Sequence, residues 1–270
     1  MEILVLASGS SGNAVLICSG ETSILVDVGI SALQVSKRLE AFGKAPDEID
    51  AILLTHEHSD HVRGLDVYLR RHHAAPVWTT PGTWSKIDVR SVGGGELYSG
   101  RTRRFGAFRV TPVATSHDAA EAVAYVFDDG EHSAALCTDT GIVTQLLEQR
   151  LQGCELLFLE TNHDKDMLRH GPYPWHLKQR IDSRTGHLSN HQSCEAVDRV
   201  SSSTLKAVVG MHLSAENNCP NLVRDGLRSA VGNGVLVGAV TREEMFRAFL
   251  DGSGVRFERR QIPSAGTNGT

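Results

Sequence analysis

The chain has 270 residues, long for one average domain but a common size for two stacked sheets with flanking helices in a single domain. Its formal net charge of −5 at pH 7 argues against a protein that coats nucleic acid through overall basicity, although a local phosphate-binding cleft is compatible with it. Five cysteines without a C-x-x-C spacing argue against a disulfide framework and a thiolate zinc site, and they favour a cytoplasmic protein. No apolar run reaches membrane-spanning length, so we expect no membrane partner.

The first half of the chain alternates strands and helices. Apolar residues at helical spacing run from Ala32 to Phe42, and the pattern ends at Gly43 and Pro46. A second helix is predicted from His61 to about His72. Short apolar runs between turn residues predict strands over residues 3–7, 14–18, 23–28, 49–55, 108–114, 122–127 and 133–137.

The second half repeats this rhythm. Strands are predicted over residues 156–160, 205–211 and 234–240, and helices over residues 189–200 and 222–230. Ser189 and Gln192 form a capping box for the first of these helices. The predicted fold class is α/β, an αββα sandwich of two mixed sheets flanked by helices. We expect a single domain over residues 1–261 and a disordered tail over residues 262–270, where Gly, Ser, Thr and Asn predominate.

Residues 55–61 read Thr-His-Glu-His-Ser-Asp-His and directly follow an apolar run. In an extended loop that leaves a strand, alternate side chains point the same way, so His56, His58 and Asp60 share one side and His61 opens the next helix. Three imidazoles and a carboxylate at this spacing indicate a metal cradle rather than a solvated polar loop. The H-x-H-x-D-H string resembles the first metal motif of the metallo-β-lactamase superfamily, whose fold is an αββα sandwich.

A dinuclear site needs further ligands, and each is present directly after a predicted strand. His117, Asp139 and His212 appear in the order that the superfamily shows. Imidazole and carboxylate ligands suit Zn²⁺, Mn²⁺ or Fe, so we expect two divalent metal ions. The resemblance implies two sites that share Asp139: one of His56, His58 and His117, the other of Asp60, His61 and His212.

Asp139 also separates the branches of the superfamily. The best-known zinc β-lactamases carry a cysteine at that position, and flavodiiron-type oxidoreductases have His-x-Glu-x-Asp where this chain has His58. The pattern therefore resembles the hydrolytic branches that act on phosphodiesters or thioesters. Asp27 either steadies the metal loop or caps a turn, and the sequence leaves both readings open.

Two further residues point to phosphodiester chemistry. Glu160 ends a predicted strand, and His187 precedes the helix over residues 189–200 in a Gly-His-Leu-Ser segment. The arrangement resembles ribonuclease Z, and the resemblance implies that Glu160 orients His187 and that His187 protonates the leaving oxygen. A phosphodiester needs such an acid because an unassisted alkoxide leaves poorly. Asp60 would orient the attacking water, which makes Asp60, Glu160 and His187 the predicted catalytic residues.

Over roughly its first 230 residues the chain resembles the YycJ/WalJ branch of the superfamily. This resemblance implies a metal-dependent DNA exonuclease of 5′ to 3′ polarity with a DNA-repair role, and hence a nucleic-acid substrate with DNA favoured over RNA. The segments that carry it lie at residues 6–13, 55–61, 116–121, 138–141, 162–164, 173–175, 186–190 and 212–214.

Candidate substrate contacts are less specific than the metal ligands. Residues 8–13 either present backbone N–H groups to a phosphate or form a Gly-Ser hairpin without a ligand. Tyr173 and Trp175, ahead of Lys178, Arg180 and Arg184, either stack on a base or are packed beside solvated charges. The predicted substrate-binding residues are Ser8, Ser10, Ser11, Asn13, Asn162, His163, Tyr173, Trp175, Ser189 and Ser214.

Several other functions use the same metal set. A glyoxalase-type thioester hydrolase would carry a helical substrate domain after the last motif, where this chain returns to strands. An RNA-processing nuclease is a further alternative, but enzymes like ribonuclease J insert a domain between the bridging Asp and the last His, and the 73 positions from Asp139 to His212 leave no room for one. A binding module without activity conflicts with the complete set of ligand positions.

Overall fold

A computed structural model of the chain describes residues 1–72, 75–88 and 93–263. The strands within these ranges are, in chain order, β1 (Glu2–Ala7), β2 (Ala14–Ser19), β3 (Thr22–Val26), β4 (Ala51–Leu53), β5 (Val77–Thr79), β6 (Gly94–Glu96), β7 (Arg103–Phe105), β8 (Phe108–Ala114), β9 (Val123–Asp128), β10 (Ser133–Cys137), β11 (Leu156–Glu160), β12 (Ala207–Met211), β13 (Leu236–Ala239), β14 (Glu244–Asp251) and β15 (Gly254–Gln261).

The helices are mostly short. None of those in the described ranges combines the length and the hydrophobicity that crossing a bilayer requires. In chain order they are α1 (Ala32–Ala41), α2 (Ser59–Val62), α3 (Leu65–Arg71), α4 (Pro81–Trp84), α5 (Gln145–Leu151), α6 (Lys165–His170), α7 (Trp175–Ile181), α8 (Asn190–Val200) and α9 (Pro220–Ala230).

The described strands form two sheets. The first has the order β15-β14-β1-β2-β3-β4-β5-β6, and the second has the order β13-β12-β11-β10-β9-β8-β7. Each sheet buries one face against the other sheet and its opposite face against helices, which confirms the predicted αββα sandwich. Strands inside the sheets, such as β1, β2 and β11, therefore read as continuous apolar runs, since both of their faces are covered.

Strand β1 contributes to the apolar layers on both faces of the first sheet, because successive side chains in a strand point to opposite faces. Ile3 and Val5 belong to the core between the sheets, whereas Leu4 and Leu6 pack on the outer side with Val35 of α1. A shift of one residue in the register of β1 would exchange the two sets. The first sheet is thus held in place from both sides, and the loop after β1 has a defined position.

Several elements differ from the sequence prediction. The single helix predicted from His61 to His72 is two helices, α2 and α3, because the Gly64 amide donates to the Val28 carbonyl and the His61 carbonyl accepts from the Val28 amide, which removes both groups from the helical hydrogen-bond pattern. The hairpin of β14 and β15 was not predicted, and it returns to the first sheet beside β1. Of the predicted tail, Ile262 packs against the helix-covered side of the first sheet, and residues 264–270 lie outside the described residues.

The polar motifs meet at one edge of the sandwich. Strands β3 and β4 pair in parallel, as do β10, β11 and β12, so their carboxyl ends lie on the same side. This is the edge where open sheets with parallel strands bind ligands. Asp27, Asp139 and His212 follow three of these strands, and they are the described non-glycine residues with positive φ, at 59°, 58° and 56°. Residues held in this region cost about 1–3 kcal/mol each and cluster at functional sites.

Gly29 lies close to the loop of residues 55–61, which we call the motif loop, and this contact yields a stability prediction. A Cβ at this position would lie 1.6 Å from the carbonyl oxygen of Asp60, so Gly29→Ala should destabilise the fold by about 1–3 kcal/mol, the usual cost of overpacking. Gly232→Ala is the matched control, since a Cβ there meets open space. Urea denaturation measures both, and equal midpoints for the two variants would contradict the tight approach.

Candidate metal centre

The motif loop is held from below by one carboxylate. Asp27 accepts hydrogen bonds from the Thr55 amide (2.9 Å), the Thr55 hydroxyl (2.8 Å) and His61 Nδ1 (2.8 Å). All three residues are buried. Of the two readings that the sequence left open for Asp27, the structure favours the one in which it steadies the loop. Thr55 was not singled out by the sequence, because its role depends on a residue 28 positions away.

The first candidate metal group consists of His56, His58 and His117. One nitrogen from each lies within 4.8 Å of the others. His58 Nδ1 and His117 Nε2 are 3.2 Å apart, and His56 Nε2 is buried without a hydrogen-bond partner among the described residues. The loop after β4 and the loop after β8 thus meet at one point.

The second candidate group consists of Asp60, His61 and His212. Asp60 Oδ2 lies 3.6 Å from His61 Nε2 and 3.8 Å from His212 Nε2. Asp139 lies between the two groups, with Oδ2 at 3.3 Å from His61 Nε2 and Oδ1 at 3.9 Å from His117 Nε2. The structure therefore brings together all the residues that were predicted as ligands.

The hydrogen bonds of the imidazoles define which nitrogen faces inward. A ring whose Nδ1 is bonded outward presents Nε2 to a metal, and such partners orient ligands in known metal sites. His58 is the exception, because its Nδ1 is the nitrogen that faces His117. The outward Nδ1 contacts are His56 with Thr55 Oγ1 (3.0 Å), His61 with Asp27 Oδ2 (2.8 Å), His117 with the Gly186 carbonyl (3.1 Å) and His212 with Glu160 Oε1 (2.9 Å).

The charges in this cluster compensate one another. Burial would raise the pKa of the Asp139 carboxyl, but the His212 and His61 imidazoles hold it well below its usual value. Burial would likewise lower the pKa of His61, yet Asp139 and Asp27 raise it to about 10. His56 behaves differently, since burial and the neighbouring His61 lower its pKa well below the ordinary value. Asp139 is therefore ionised and needs positive charge beside it, from imidazolium protons or from a cation.

The donor set fits divalent cations. Among the described residues, the buried polar atoms without a hydrogen-bond partner include His56 Nε2, Asp139 Oδ2 and His212 Nε2, which all face the candidate groups. Buried polar groups in native proteins are almost always satisfied, so unpaired atoms that converge on one point indicate a ligand. Imidazole nitrogens and carboxylate oxygens are the ligands that zinc, manganese and iron share.

Glu160 connects the metal groups to His187. Its Oε1 accepts from His187 Nδ1 (2.8 Å) and His212 Nδ1 (2.9 Å), while Oε2 accepts from the amides of Thr140 (3.0 Å) and Leu188 (3.1 Å). Burial would raise the pKa of Glu160, but the imidazoles, His187 foremost, lower it to about 2. A fully buried carboxylate with four hydrogen bonds is a rigid support.

Asp139, Glu160, His187 and His212 also lie close enough to hold a cation. We assign no ion to this set, because Glu160 Oε1 and the two imidazole Nδ1 atoms are already paired with each other. His187 keeps its side chain 18% exposed, so its other face reaches the cavity above the centre.

The cavity has a volume of about 250 Å³. Of the residues predicted to bind substrate, Ser10, Asn162, Tyr173 and Ser214 line it. Ser11 and Trp175 are exposed outside its lining.

The other predicted substrate residues are buried supports. Ser8 Oγ accepts from the His212 amide (2.8 Å), and Ser189 caps α8 in the predicted capping box. Asn13 Nδ2 lies 3.0 Å from His61 Nε2, the nitrogen that faces the second group. His163 is fully buried, with Nε2 at 3.7 Å from Asp182 Oδ1. The structure thus places these four beneath the cavity rather than at its surface.

One ion pair at the cavity was missed. Arg180 of α7 lines the cavity and donates to Asp118, beside His117, at 2.6 Å. The sequence shows the basic cluster that contains Arg180, but its partner 62 positions away follows only from the fold.

Comparison with known proteins places these features in a family. The family model described as Beta-lactamase superfamily domain matches residues 22–213. Exodeoxyribonuclease WalJ of Streptococcus pneumoniae serotype 2 is 36% identical over 225 residues, which cover 81% of this chain and 83% of that protein. Exodeoxyribonuclease YycJ of Bacillus anthracis is 37% identical over 233 residues, which cover 83% of this chain and 86% of that protein.

A solved structure shows the same fold at lower sequence similarity. The metallo-β-lactamase fold protein YhfI from Bacillus subtilis superposes with a TM-score of 0.71 at 18% identity, over 91% of this chain and 98% of that one. At this identity the similarity concerns the fold alone.

The position of Asp139 between the two groups predicts coupled metal loss. Asp139→Asn should lower the content of both metals together and reduce the thermal stabilisation by added metal, which reaches about 2.7 kcal/mol when the free ion is 100-fold above its Kd. Elemental analysis after dialysis and melting curves measure the two effects. Asp66→Asn, at an exposed position of α3, is the control. A variant that retains one metal at full occupancy would show that Asp139 serves a single ion.

Proposed function

The chain belongs to the β-lactamase superfamily and, within it, to the group of the WalJ and YycJ exodeoxyribonucleases, and on this ground we propose that it is a metal-dependent exonuclease that degrades DNA. The observation that carries the proposal is the contact of Glu160 with both His212 and His187. One carboxylate thereby couples a candidate metal ligand to a candidate proton donor at the surface of the cavity. This is the constellation that phosphodiester hydrolysis needs.

In the proposed site, one cation is held by His56, His58 and His117 and the other by Asp60, His61 and His212, with Asp139 between them. When bound, two cations supply Lewis-acid neutralisation of the phosphoryl oxygens and a nucleophilic hydroxide at neutral pH. Zinc or manganese suits the donor set, and iron is compatible with it.

The protein residues contribute orientation and proton transfer. Asp60, partly exposed at the cavity, accepts a hydrogen bond from the attacking water and directs it toward phosphorus. Glu160 fixes the ring of His187 through Nδ1, so Nε2 is the nitrogen that faces the cavity. Burial would lower the pKa of His187, but Glu160 beside it raises the pKa above the ordinary value, which keeps the imidazole protonated for donation to the departing sugar oxygen.

The finer attributes of this function are also proposals. The names of the exodeoxyribonuclease relatives support DNA rather than RNA as substrate. The 5′ to 3′ direction, the role in DNA repair and the cytoplasmic location are proposals that rest on the sequence resemblance alone. Since the chain is acidic overall, binding would depend on the local charge of the cavity rather than on a basic coat.

Activity assays with chemically different substrates test the class of reaction. The metal-loaded protein should release nucleotides from end-labelled DNA, and chelation should abolish the release until Zn²⁺ or Mn²⁺ is restored. Duplex DNA, single-stranded DNA, RNA and a thioester are compared under both metals. Rapid thioester turnover without any nucleotide release would overturn the nuclease proposal and favour the thioester hydrolase. Preferential release from RNA would favour the RNA-processing alternative.

Substitution of His187 tests its proposed role as the proton donor. His187→Ala should slow DNA hydrolysis by about 10²- to 10⁴-fold, the usual contribution of a general acid. A substrate with a nitrophenolate leaving group, which departs without a proton, should recover much of this loss. Metal content should stay near that of the unmodified protein, and His191→Ala is the control at an exposed position of α8. Loss of metal from His187→Ala, or no difference between the two substrates, would contradict proton donation.

A further inference from the structure

Trp175 is the most exposed large hydrophobic residue in the described part of the chain, at 70%. It opens α7 and lies outside the metal cavity. The other tryptophans have partners: Trp84 donates to the Gly95 carbonyl, and the guanidinium of Arg103 lies 3.7 Å from the centre of the Trp78 ring. The ring of Trp175, by contrast, lies mostly in solvent.

Trp175 lines a groove between α6 and α7 with a volume of about 500 Å³, twice that of the metal cavity. We call it the α6–α7 groove. Its other walls include three cationic side chains, Lys165, Arg169 and Lys178, and the two carboxylates of Asp166 and Asp182. Lys178 Nζ donates to the carbonyls of Arg169 (2.8 Å) and Gly171 (2.7 Å), which fixes the turn between the two helices and leaves the ammonium charge at the groove.

The charge of this region is opposite to that of the whole protein. Residues 165–184 contain five lysines and arginines but two aspartates, in a chain whose net charge is −5. Lys165 is half-exposed and lies 4.0 Å from Asp182, a distance at which the ion pair is weak. The guanidinium of Arg169 is exposed and makes no hydrogen bond or ion pair with the described residues. An aromatic face beside unused cations is the pattern that binds single-stranded nucleic acid.

Helix α7 separates the groove from the metal cavity. Leu177, Arg180 and Ile181 line the cavity, whereas Trp175 and Lys178 line the groove. Tyr173, two positions before Trp175, also lines the cavity, so the two Cα atoms are at most about 7 Å apart. The cavity and the groove therefore adjoin at the start of α7.

We propose that the α6–α7 groove binds an unpaired nucleotide of the DNA strand that is being degraded, next to the one in the metal cavity, with its base stacked on Trp175 and its phosphate beside Lys165 and Arg169. This inference rests on the proposed nuclease function. It implies that substrates too short to reach the groove bind weakly even when the metal cavity is filled.

Binding measurements on chelated protein isolate the groove from catalysis. Trp175→Ala should weaken the binding of a labelled single-stranded DNA octamer about 10- to 100-fold, the range that loss of one stacked base produces, and Trp175→Phe should retain most of the affinity. Fluorescence anisotropy measures the affinity. Tyr98→Ala, an exposed aromatic residue outside the groove, is the control, and melting curves verify that each variant is folded.

Two further readouts distinguish stacking and phosphate contact from a general loss of structure. Octamer binding should quench the tryptophan emission of the unmodified protein, and Trp175→Phe should remove this quenching although Trp78 and Trp84 remain. The slope of log K against log salt should decrease by about 0.7 in magnitude for Arg169→Gln, the single-strand value for one phosphate, and not for Arg150→Gln on α5.

The outcomes separate the inference from the function on which it rests. If Trp175→Ala binds the octamer as tightly as the unmodified protein while both still degrade DNA, the groove proposal is overturned and the nuclease proposal stands. Tighter binding of an RNA octamer through Trp175 would overturn the assignment of DNA as occupant. If the metal-loaded protein releases no nucleotides from DNA, the proposed function fails first.

Discussion

Carboxyl groups buried at one edge of the two sheets are the constraint on which the rest of the structure depends. Asp27, Asp139 and Glu160 are at most 3% exposed. A buried charge without compensation destabilises a fold by several kcal/mol, so each carboxylate must be matched by hydrogen bonds and by imidazoles at fixed positions. The Thr55 and Thr140 amides and the rings of His61 and His212 provide this compensation. Bound cations would complete it, because they supply the positive charge that protons on these imidazoles otherwise provide.

The backbone around the centre is shaped by the same requirement. Asp139 and His212 adopt left-handed φ values at the carboxyl ends of β10 and β12, and both contribute ligand atoms to the centre. Such strain persists only when neighbouring groups hold it in place. For His212 these are Ser8, which accepts from its amide, and Asn162, which donates to its carbonyl. Two polar residues that the sequence suggested as substrate contacts thus hold the geometry of a ligand, although Asn162 also lines the cavity.

Secondary-structure elements and motifs, which depend on neighbouring residues, were predicted well from the sequence, whereas contacts between distant segments were predicted poorly. Strands β8, β10 and β11 have the predicted bounds, and the capping box of α8 is present, because apolar periodicity and cap residues act within a few positions. The motif spacing also located the residues of the two candidate metal groups. By contrast, the contact of Glu160 with His212 and the ion pair of Arg180 with Asp118 join segments more than 50 positions apart. The hairpin of β14 and β15 was missed for a similar reason, since its place beside β1 depends on pairing with the other end of the chain.

Helix α7 joins the proposed catalytic and substrate-binding features, and its attachment determines how they respond to solution conditions. None of its residues is buried, so apolar packing contributes little to its position. Polar contacts hold it instead, among them Arg180 with Asp118 and Lys178 with the carbonyls of Arg169 and Gly171. Exposed ion pairs of this kind are weak and screened by salt, and segments with few buried contacts open at low free energy. Higher ionic strength would therefore weaken substrate binding in two ways. It screens the attraction between the groove and phosphates, and it loosens α7, which forms one wall of both the groove and the metal cavity.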